Sequence, residues 1–93
     1  MFKLTFTTQF KRDFKLIKKS SSGDTEALTL FLKELAENGA AGVEPNHRPH
    51  KLSGKYKGDW EAHIKPDLLI IWFEITSDNE ILLLRTGSHS DLF

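Results

Sequence analysis

Histidine is the side chain best suited to proton transfer near neutral pH, and this 93-residue sequence contains four of them. His63 and Asp67 stand just before the most apolar stretch of the chain, Leu68 to Phe73. Further along, the stretch LRTGSHSDLF contains Arg85 and His89. An arginine stays charged throughout a reaction and presents a planar fork that fits a phosphate. Together these residue types favour acid–base chemistry at a phosphate group.

The ends of neighbouring strands in a meander lie close together, and this should bring the polar residues to one place. His63 and Asp67 flank the turn between two predicted strands, Arg85 lies near the end of the next strand, and His50 comes from an irregular segment before them. We therefore predict a polar site formed by His50, His63, Asp67, Arg85 and His89. Four basic side chains around it are candidates for binding RNA: Lys51, Lys55, Lys57 and Lys65.

RNA cleavage suits this set of residues, because RNA carries its own nucleophile, the 2′-hydroxyl group. A protein has to remove the proton of that group, protonate the leaving 5′-oxygen and neutralise the charge that grows on the phosphate. None of these steps requires a metal ion or another cofactor. A nucleophilic hydrolase is a weaker interpretation, because the sequence has no cysteine and no serine in a nucleophile elbow.

Simpler interpretations of the same residues stay open. Asp67 follows a proline and would suit a turn, and Arg85 would suit a salt bridge at the edge of the sheet. His47 and His50 could bind zinc with His63 or Asp67, although neither a helical setting nor a cysteine supports such a site. Each residue taken singly is compatible with a structural role.

Length and composition indicate one small domain over residues 1–93. A chain of this size buries about two-thirds of the surface that it exposes when unfolded, so its apolar residues must share one core. The absence of cysteine is compatible with the cytoplasm, and the longest apolar run is far shorter than the about 20 residues that cross a bilayer. We therefore expect a cytoplasmic protein without a membrane segment.

The formal net charge is zero, but the charges are segregated along the chain. Residues 1–19 carry +5 and residues 47–67 carry +2, whereas residues 20–46 carry −4 and residues 68–93 carry −3. Local patches, rather than the total charge, attract a polyanion to a surface. A nucleic-acid ligand is therefore compatible with zero net charge, and so is ordinary surface charge.

The spacing of the apolar residues predicts a strand followed by a helical hairpin. The strand covers residues 2–6, and the segment SSSG at residues 20–23 separates the two helices. Thr7 or Thr8 should cap the first helix and Asp24 the second. The apolar stripes of the two helices are formed by Phe10, Phe14, Ile17, Leu28, Phe31, Leu32 and Leu35.

Three further strands are predicted after an irregular segment over residues 39–58. In the first, residues 60–65, Glu61 and His63 share one face because side chains alternate. The second, Leu68 to Ile75, is apolar nearly throughout, which is typical of the middle of a sheet, and the third begins at Ile81. The order β-α-α-β-β-β predicts an α+β fold in which the helical hairpin packs on a mainly antiparallel sheet.

Two segments also resemble a known family. HKLSGKYKGDWEAHIKPDLLIIW and LLLRTGSHSDLF are similar to the YafQ branch of the RelE-like bacterial toxins. In that branch the pattern H-x-L-x-G-x-[WY]-x-G-x-[RW]-[ED]-x-H-[IV]-x-P-D precedes a strand, and R-x-G-[ST]-H-x-x-L-F follows it. The helical hairpin and the chain length agree as well, so the resemblance covers essentially the whole chain and implies a RelE-like fold.

The resemblance implies a toxin of a type II toxin–antitoxin pair, an endoribonuclease that cuts messenger RNA in the ribosome without a metal. The implied partners are the ribosome, messenger RNA and an antitoxin encoded beside the toxin, and the complex would bind operator DNA through the antitoxin. A rival interpretation is an inhibitor of the same fold that binds the ribosome, nucleic acid or gyrase without cutting. Proton-carrying side chains favour cutting, because a protein that only binds does not need them.

Matched position by position, the active-site residues of the family are His50, His63, Asp67, Arg85, His89 and Phe93. The resemblance makes His89 the proton donor to the 5′-oxygen. His63 and Asp67, with His50 as a further candidate, would take the proton of the 2′-hydroxyl group. Arg85 would hold the phosphate, and Phe93 would hold a base or the chain end. Leu68 departs from the family, because some relatives have an aromatic residue at that position.

Overall fold

The computed structural model describes residues 1–93, apart from the side chain of Lys55. The strands are β1 (Lys3–Phe6), β2 (His50–Lys51), β3 (Trp60–Lys65), β4 (Leu68–Ile75) and β5 (Glu80–Gly87), and the helices are α1 (Thr8–Ser20), α2 (Ser22–Asn38) and α3 (His89–Leu92). The strands form one sheet in the order β1-β5-β4-β3-β2, in which only the β1–β5 pair is parallel. The predicted α+β fold with a mainly antiparallel sheet is confirmed.

The helical hairpin is tighter than its sequence predicts. Thr7 caps α1 as expected, since its hydroxyl accepts a hydrogen bond from the Phe10 N–H at 3.2 Å. The predicted break over residues 20–23 and the predicted cap at Asp24 are wrong. One residue, Ser21, separates the helices, because its hydroxyl accepts from the Asp24 N–H at 3.1 Å and so caps α2. The backbone N–H of Ser21 also closes the last turn of α1.

The core lies between the helical hairpin and one face of the sheet. The apolar stripes of both helices are buried, except that Phe14 is half-buried. The sheet contributes alternate residues of its central strands, among them Ile70, Trp72 and Leu83, each 0 % exposed. The side chain of Trp72 stacks on that of Trp60, with 6.2 Å between the ring centroids. These core side chains keep the sheet in a fixed position beneath the helices.

Two short elements were not predicted. β2 lies inside the segment predicted to be irregular, which otherwise consists of loops and short 3-10 turns, including Pro45–His47 and Gly54–Tyr56. α3 lies in the stretch after β5 and begins at its N-cap, Ser88. Elements of two and four residues are too short for hydrophobic periodicity to signal them. Within the described part of the chain, no helix is both long and apolar enough to cross a membrane.

The second face of the sheet, which we call the open face, is not covered by the helical hairpin. A small apolar cluster of Leu69, Ile71 and Leu92 forms its floor, and Leu52, Tyr56 and Leu84 pack against that cluster. α3, Leu52 and Tyr56 therefore cover this cluster, while His63 and Arg85 beside it keep 29 % and 24 % of their side chains exposed. The polar residues singled out by the sequence lie around this floor.

Candidate active site

Strand pairing places three polar residues in one region of the open face. His50 lies opposite Glu61, Glu61 lies opposite Ile71, and Ile71 lies opposite Arg85. Residues that are opposite each other in neighbouring strands project from the same face of a sheet. His63 projects from that face too, because it lies two positions after Glu61 in β3. The structure thus places His50, His63 and Arg85 on one face of the sheet, with β4 between Arg85 and the histidines.

Glu61 lies between two of the histidines. Its side chain is buried, and its Oε1 atom lies 3.2 Å from His50 Nε2 and 3.6 Å from His63 Nε2. The other ring nitrogen of His50, Nδ1, lies 2.8 Å from the carbonyl oxygen of Arg48. Both nitrogens of His50 therefore face oxygen atoms of neighbouring residues. Glu61 links the two imidazoles and orients them.

Asp13 of α1 holds the guanidinium group of Arg85 at the edge of the sheet. Asp13 Oδ2 accepts a hydrogen bond from Arg85 Nε at 2.8 Å, and Asp13 Oδ1 accepts one from Arg85 Nη2 at 3.3 Å. Asp13 Oδ2 also accepts from the Thr86 N–H at 3.1 Å, beyond the point where β1 stops pairing with β5. The carboxylate is buried, with 7 % of the residue exposed.

The environment of Arg85 keeps its charge fixed. The hydrogen bonds that Arg85 donates to Asp13 raise the pKa of Arg85, and Tyr56 contributes in the same direction. The salt bridge at the sheet edge, left open as the simpler interpretation of Arg85, is therefore present. About a quarter of the side chain, 24 %, remains exposed, so an anionic ligand can still reach the guanidinium group.

Asp67 connects the turn between β3 and β4 to the start of α3. Its Oδ1 atom accepts a hydrogen bond from the backbone N–H of His89 at 3.2 Å. Ser88 and Asp91 form a capping box at the same end of α3: Asp91 N–H donates to the Ser88 hydroxyl at 3.2 Å, and Ser88 N–H donates to Asp91 Oδ2 at 3.0 Å. These bonds lower the pKa of Asp91. Asp67 is thus a turn residue that also fixes the position of His89.

Phe93 lies beside two other rings of the open face. Its centroid is 5.2 Å from that of His89 and 5.8 Å from that of Tyr56, which comes from the 3-10 turn before β3. Phe93 is 57 % exposed, although most large apolar side chains of this protein are buried. An exposed aromatic ring next to a titratable one is a suitable surface for stacking a base.

The four predicted RNA-binding lysines differ in their surroundings. Lys51 and Lys57 are exposed, and Lys51 Nζ lies over the ring of Trp60, 5.6 Å from its centroid. Lys65 is also exposed, but its Nζ atom donates to Asp24 Oδ1 at 2.9 Å, which offsets its charge. The side chain of Lys55 lies outside the described residues.

His47 does not join the site, which removes the main support for a zinc centre. Its Nδ1 atom lies 2.7 Å from the carbonyl oxygen of His63, and its ring packs edge-on against Phe31 of α2, 5.4 Å between centroids. His47 therefore faces away from His50. Among the described residues, no three histidine, cysteine, aspartate or glutamate side chains are grouped as metal ligands.

Three contributors to the site were missed by sequence reasoning: Glu61, Asp13 and Tyr56. Strand alternation does place Glu61 on the same face as His63, and that signal could have identified it. No comparable signal exists for Asp13, whose partner Arg85 is 72 positions away in the chain. Tyr56 lies in a turn where no periodicity predicts which way a side chain points.

The family comparison identifies the class of protein to which the chain belongs. The family model described as "Bacterial toxin of type II toxin-antitoxin system, YafQ" matches residues 2–93. The chain belongs to this toxin family. The predicted resemblance and the predicted toxin class are therefore confirmed, and the YafQ-family fold accounts for the order of the strands and helices described above.

Individual relatives agree with this assignment. The mRNA interferase toxin YafQ of Escherichia coli K12 is 31% identical over 90 residues, which cover 97% of this chain and 94% of the relative. The E. coli DinJ–YafQ complex contains a chain with a TM-score of 0.81 and 29% identity, covering 100% of this chain and 99% of that one. A copper-bound mutant toxin from Helicobacter pylori has a TM-score of 0.81 and 35% identity, with 100% of both chains covered.

Proposed function

We propose that this YafQ-family toxin is an mRNA interferase that cuts messenger RNA on the ribosome by attack of a 2′-hydroxyl group on the adjacent phosphate. The observation that supports this proposal is that His50, Glu61 and His63 form a connected group on the same face of the sheet as Arg85. Imidazoles next to a fixed cation provide proton transfer and charge neutralisation at one phosphate. The curated E. coli relative is named for the same activity.

Removal of the 2′-hydroxyl proton is assigned to residues in β3 and next to it. His63 or Asp67, with His50 as a further candidate, removes the proton of the 2′-hydroxyl group. The 2′-oxygen then attacks the phosphorus atom, and a 2′,3′-cyclic phosphate forms as the bond to the 5′-oxygen breaks. Glu61 acts as a positioning residue, because its contacts to His50 and His63 hold both rings in one orientation.

Protonation of the leaving group and neutralisation of the phosphate charge are assigned to residues of α3 and β5. His89 donates a proton to the leaving 5′-oxygen, and the hydrogen bond between Asp67 and the His89 backbone sets the position of that donor. Arg85 neutralises the charge that develops on the phosphate, with its fork oriented by Asp13. Phe93 stacks on a base next to the scissile bond. The exposed lysines Lys51 and Lys57 contribute positive charge along the RNA backbone.

The partners follow from the same assignment. An antitoxin is expected to bind this chain and block the open face, since DinJ and E. coli YafQ form a complex. Binding of operator DNA would belong to the antitoxin rather than to the toxin. The ribosome and messenger RNA are the targets, which places the protein in the cytoplasm.

Two rival functions make different predictions. An inhibitor that binds the ribosome, nucleic acid or gyrase without cutting would not need His89 as a proton donor. A metal-dependent nuclease would be inactivated by a chelator and restored by the metal, and the copper-bound H. pylori toxin is the observation that favours testing this. The described donor groups do not form such a centre, so we expect cleavage to persist in the presence of EDTA.

The test is controlled expression of the toxin followed by mapping of messenger 5′ ends, with the wild type and His89→Ala side by side. We expect wild-type cuts in register with codons, and a loss of cleavage by about 10²–10⁴-fold in His89→Ala, the usual contribution of a general acid. Ser90→Ala is the matched control, because Ser90 is an exposed neighbour in the same short helix.

The fold should survive in His89→Ala, because the imidazole is exposed, and the folded variant should still bind the antitoxin. If His89→Ala arrests growth and cuts at the wild-type rate, the proposed acid chemistry is wrong. Cuts spread evenly over untranslated regions would instead contradict the requirement for the ribosome.

A further inference from the structure

A cavity of about 360 Å³ has His63 in its wall, and its other lining residues are not among those assigned to catalysis. It lies along the outer edge of β3, because β2 pairs only with Trp60 and Glu61 and leaves the rest of that edge without a strand partner. The 3-10 turn before β2 and the turn after β3 complete the walls, which include Asn46, Arg48, Ile64 and Pro66. Its volume is within the range of about 300–1,000 Å³ that is typical of small-ligand sites.

The side chains in this cavity suit a nucleobase. Asn46 offers an amide that both donates and accepts hydrogen bonds, which is the chemistry needed to read a base edge. Arg48 offers a planar guanidinium group on which an unstacked base can lie. Among the described residues, neither side chain has a hydrogen bond or ion pair, and both are exposed. Pro66, which is exposed, provides apolar surface for the rest of a ring, and the buried side chain of Ile64 closes the cavity behind it.

Arg48 also connects the cavity to the catalytic residues. Its backbone has a φ of 51°, a left-handed conformation that is uncommon for residues other than glycine. In that conformation its carbonyl oxygen lies 2.8 Å from His50 Nδ1, while its side chain lines the cavity. Backbone strain of this kind is often kept at functional sites. The cavity and the imidazole of His50 thus share one positioning residue.

We propose that this cavity binds the base of the nucleotide whose 2′-hydroxyl group is activated, and that Asn46 and Arg48 determine which base is preferred there. The inference rests on the proposed function, which sets the direction in which the RNA lies across the site. With His63 as the base of the proposed function, the 2′-hydroxyl proton is taken at the wall of the cavity, while the leaving 5′-oxygen is protonated at His89. The nucleotide before the cut therefore extends towards the cavity, and the nucleotide after the cut extends towards Phe93.

A binding experiment can test the cavity without any cleavage. Each of the four nucleoside 3′-monophosphates is titrated into the ¹⁵N-labelled full chain and followed by two-dimensional NMR. We expect the backbone amide signals of Asn46, Arg48 and His63 to shift, with different affinities for the four bases. Arg48→Asn and Asn46→Ala should each weaken the preferred nucleotide by about tenfold, the size of one base-edge contact. Asparagine is chosen at position 48 because it tolerates the left-handed backbone.

A second experiment measures the preference during cleavage. Messenger 5′ ends are mapped for the wild type, Arg48→Asn, Asn46→Ala and the control Arg12→Gln, which removes the same charge from an exposed position on α1. We expect the base preference immediately before the cut to relax by about tenfold in both cavity variants and to stay unchanged in the control.

The two proposals fail in different ways. Shifts confined to Arg85, His89 and Phe93, or an unchanged base preference in both cavity variants, would overturn the cavity assignment alone. Wild-type cleavage by His89→Ala would overturn the proposed function, whatever the cavity variants do.

Discussion

The two faces of the sheet are built from the same strands but carry different kinds of residue. On the helix-covered face, β4 and β5 contribute fully buried apolar side chains such as Ile70, Trp72 and Leu83. On the open face, the neighbouring positions include Glu61 and Arg85, and the apolar floor is small. Side-chain alternation along each strand makes this division possible, because successive residues project to opposite faces.

This difference shows how a domain of this size can hold charged groups without losing its core. The charged side chains on or beside the open face pair with one another, as Glu61 does with two histidines and Asp13 with Arg85. In the described part of the protein, no buried side-chain nitrogen or oxygen lacks a hydrogen-bond partner. We therefore expect stability to depend mainly on the covered face and cleavage mainly on the open face.

The largest effect is expected for Phe10→Ala on the covered face. Phe10 is 0 % exposed and packs against two other rings, so its removal leaves a cavity in the core. We expect the free energy of unfolding to fall by about 3–5 kcal/mol in urea denaturation followed by circular dichroism. Leu16→Ala, on the same helix and 66% exposed, should change it by less than about 0.5 kcal/mol. Equal effects of the two substitutions would contradict the assignment of the core.

Asp13→Asn is expected to affect both faces at once. The substitution keeps the shape of the side chain but removes the charge that holds Arg85 and Thr86. Hydrogen bonds to charged groups contribute about 1.5–3 kcal/mol, so the free energy of unfolding should fall by about that amount, and cleavage should fall as well. Glu26→Gln, exposed on α2, is the control. A fully stable variant would show that Asp13 does not link α1 to the site.

Glu61→Gln tests the contribution of the open face to cleavage without changing the core. Glutamine is of nearly equal size and still accepts a hydrogen bond, but it no longer attracts two imidazoles electrostatically. We expect single-turnover cleavage to fall by about tenfold, which corresponds to about 1.4 kcal/mol and to one hydrogen bond. The free energy of unfolding should change less than the activation free energy. The opposite order, with stability lost and the cleavage rate kept, would mean that the open face is structural.

The smallest effect concerns the capping box of α3. Hydrogen bonds with Ser88 lower the pKa of Asp91 in the folded protein. The stability that the ionised Asp91 contributes is therefore fully present above its pKa in the unfolded chain, about 3.9, and is lost as the pH falls through its lower pKa in the folded protein. We expect the NMR signals of α3 to lose their dispersion below about pH 4 while the core stays folded. Asp91→Asn should remove this local transition, and its persistence there would assign it to another group.

The covered face was the part that the sequence predicted well. The apolar run from Leu68 to Ile75 matches β4 residue for residue, and the helical stripes are buried because their spacing repeats that of a helix. The errors concern short polar signals. SSSG suggested a four-residue break, but the hydroxyl of Ser21 alone is enough to cap α2.

The open face was predicted only in part: His50, His63 and Arg85 were named from the sequence, whereas Glu61 and Tyr56 were missed. The three named residues share one face because the register of the strands aligns them across the sheet. The burial of Glu61 between two imidazoles depends on the register of β2, a strand too short to leave a pattern. Pairing of Asp13 with Arg85 depends on the packing of α1 against the sheet edge, and no local rule encodes it.

The parallel pairing of β1 with β5 has a consequence for folding during translation. Of the five strands, β1 leaves the ribosome first and its partner β5 leaves last, so β1 has no neighbour in the sheet until β5 has been translated. Such long-range pairing slows folding and delays completion of the sheet. Arg85 arrives with the same late strand. A ribosome that is making this toxin therefore carries a polypeptide that does not yet hold the cation proposed to bind the phosphate.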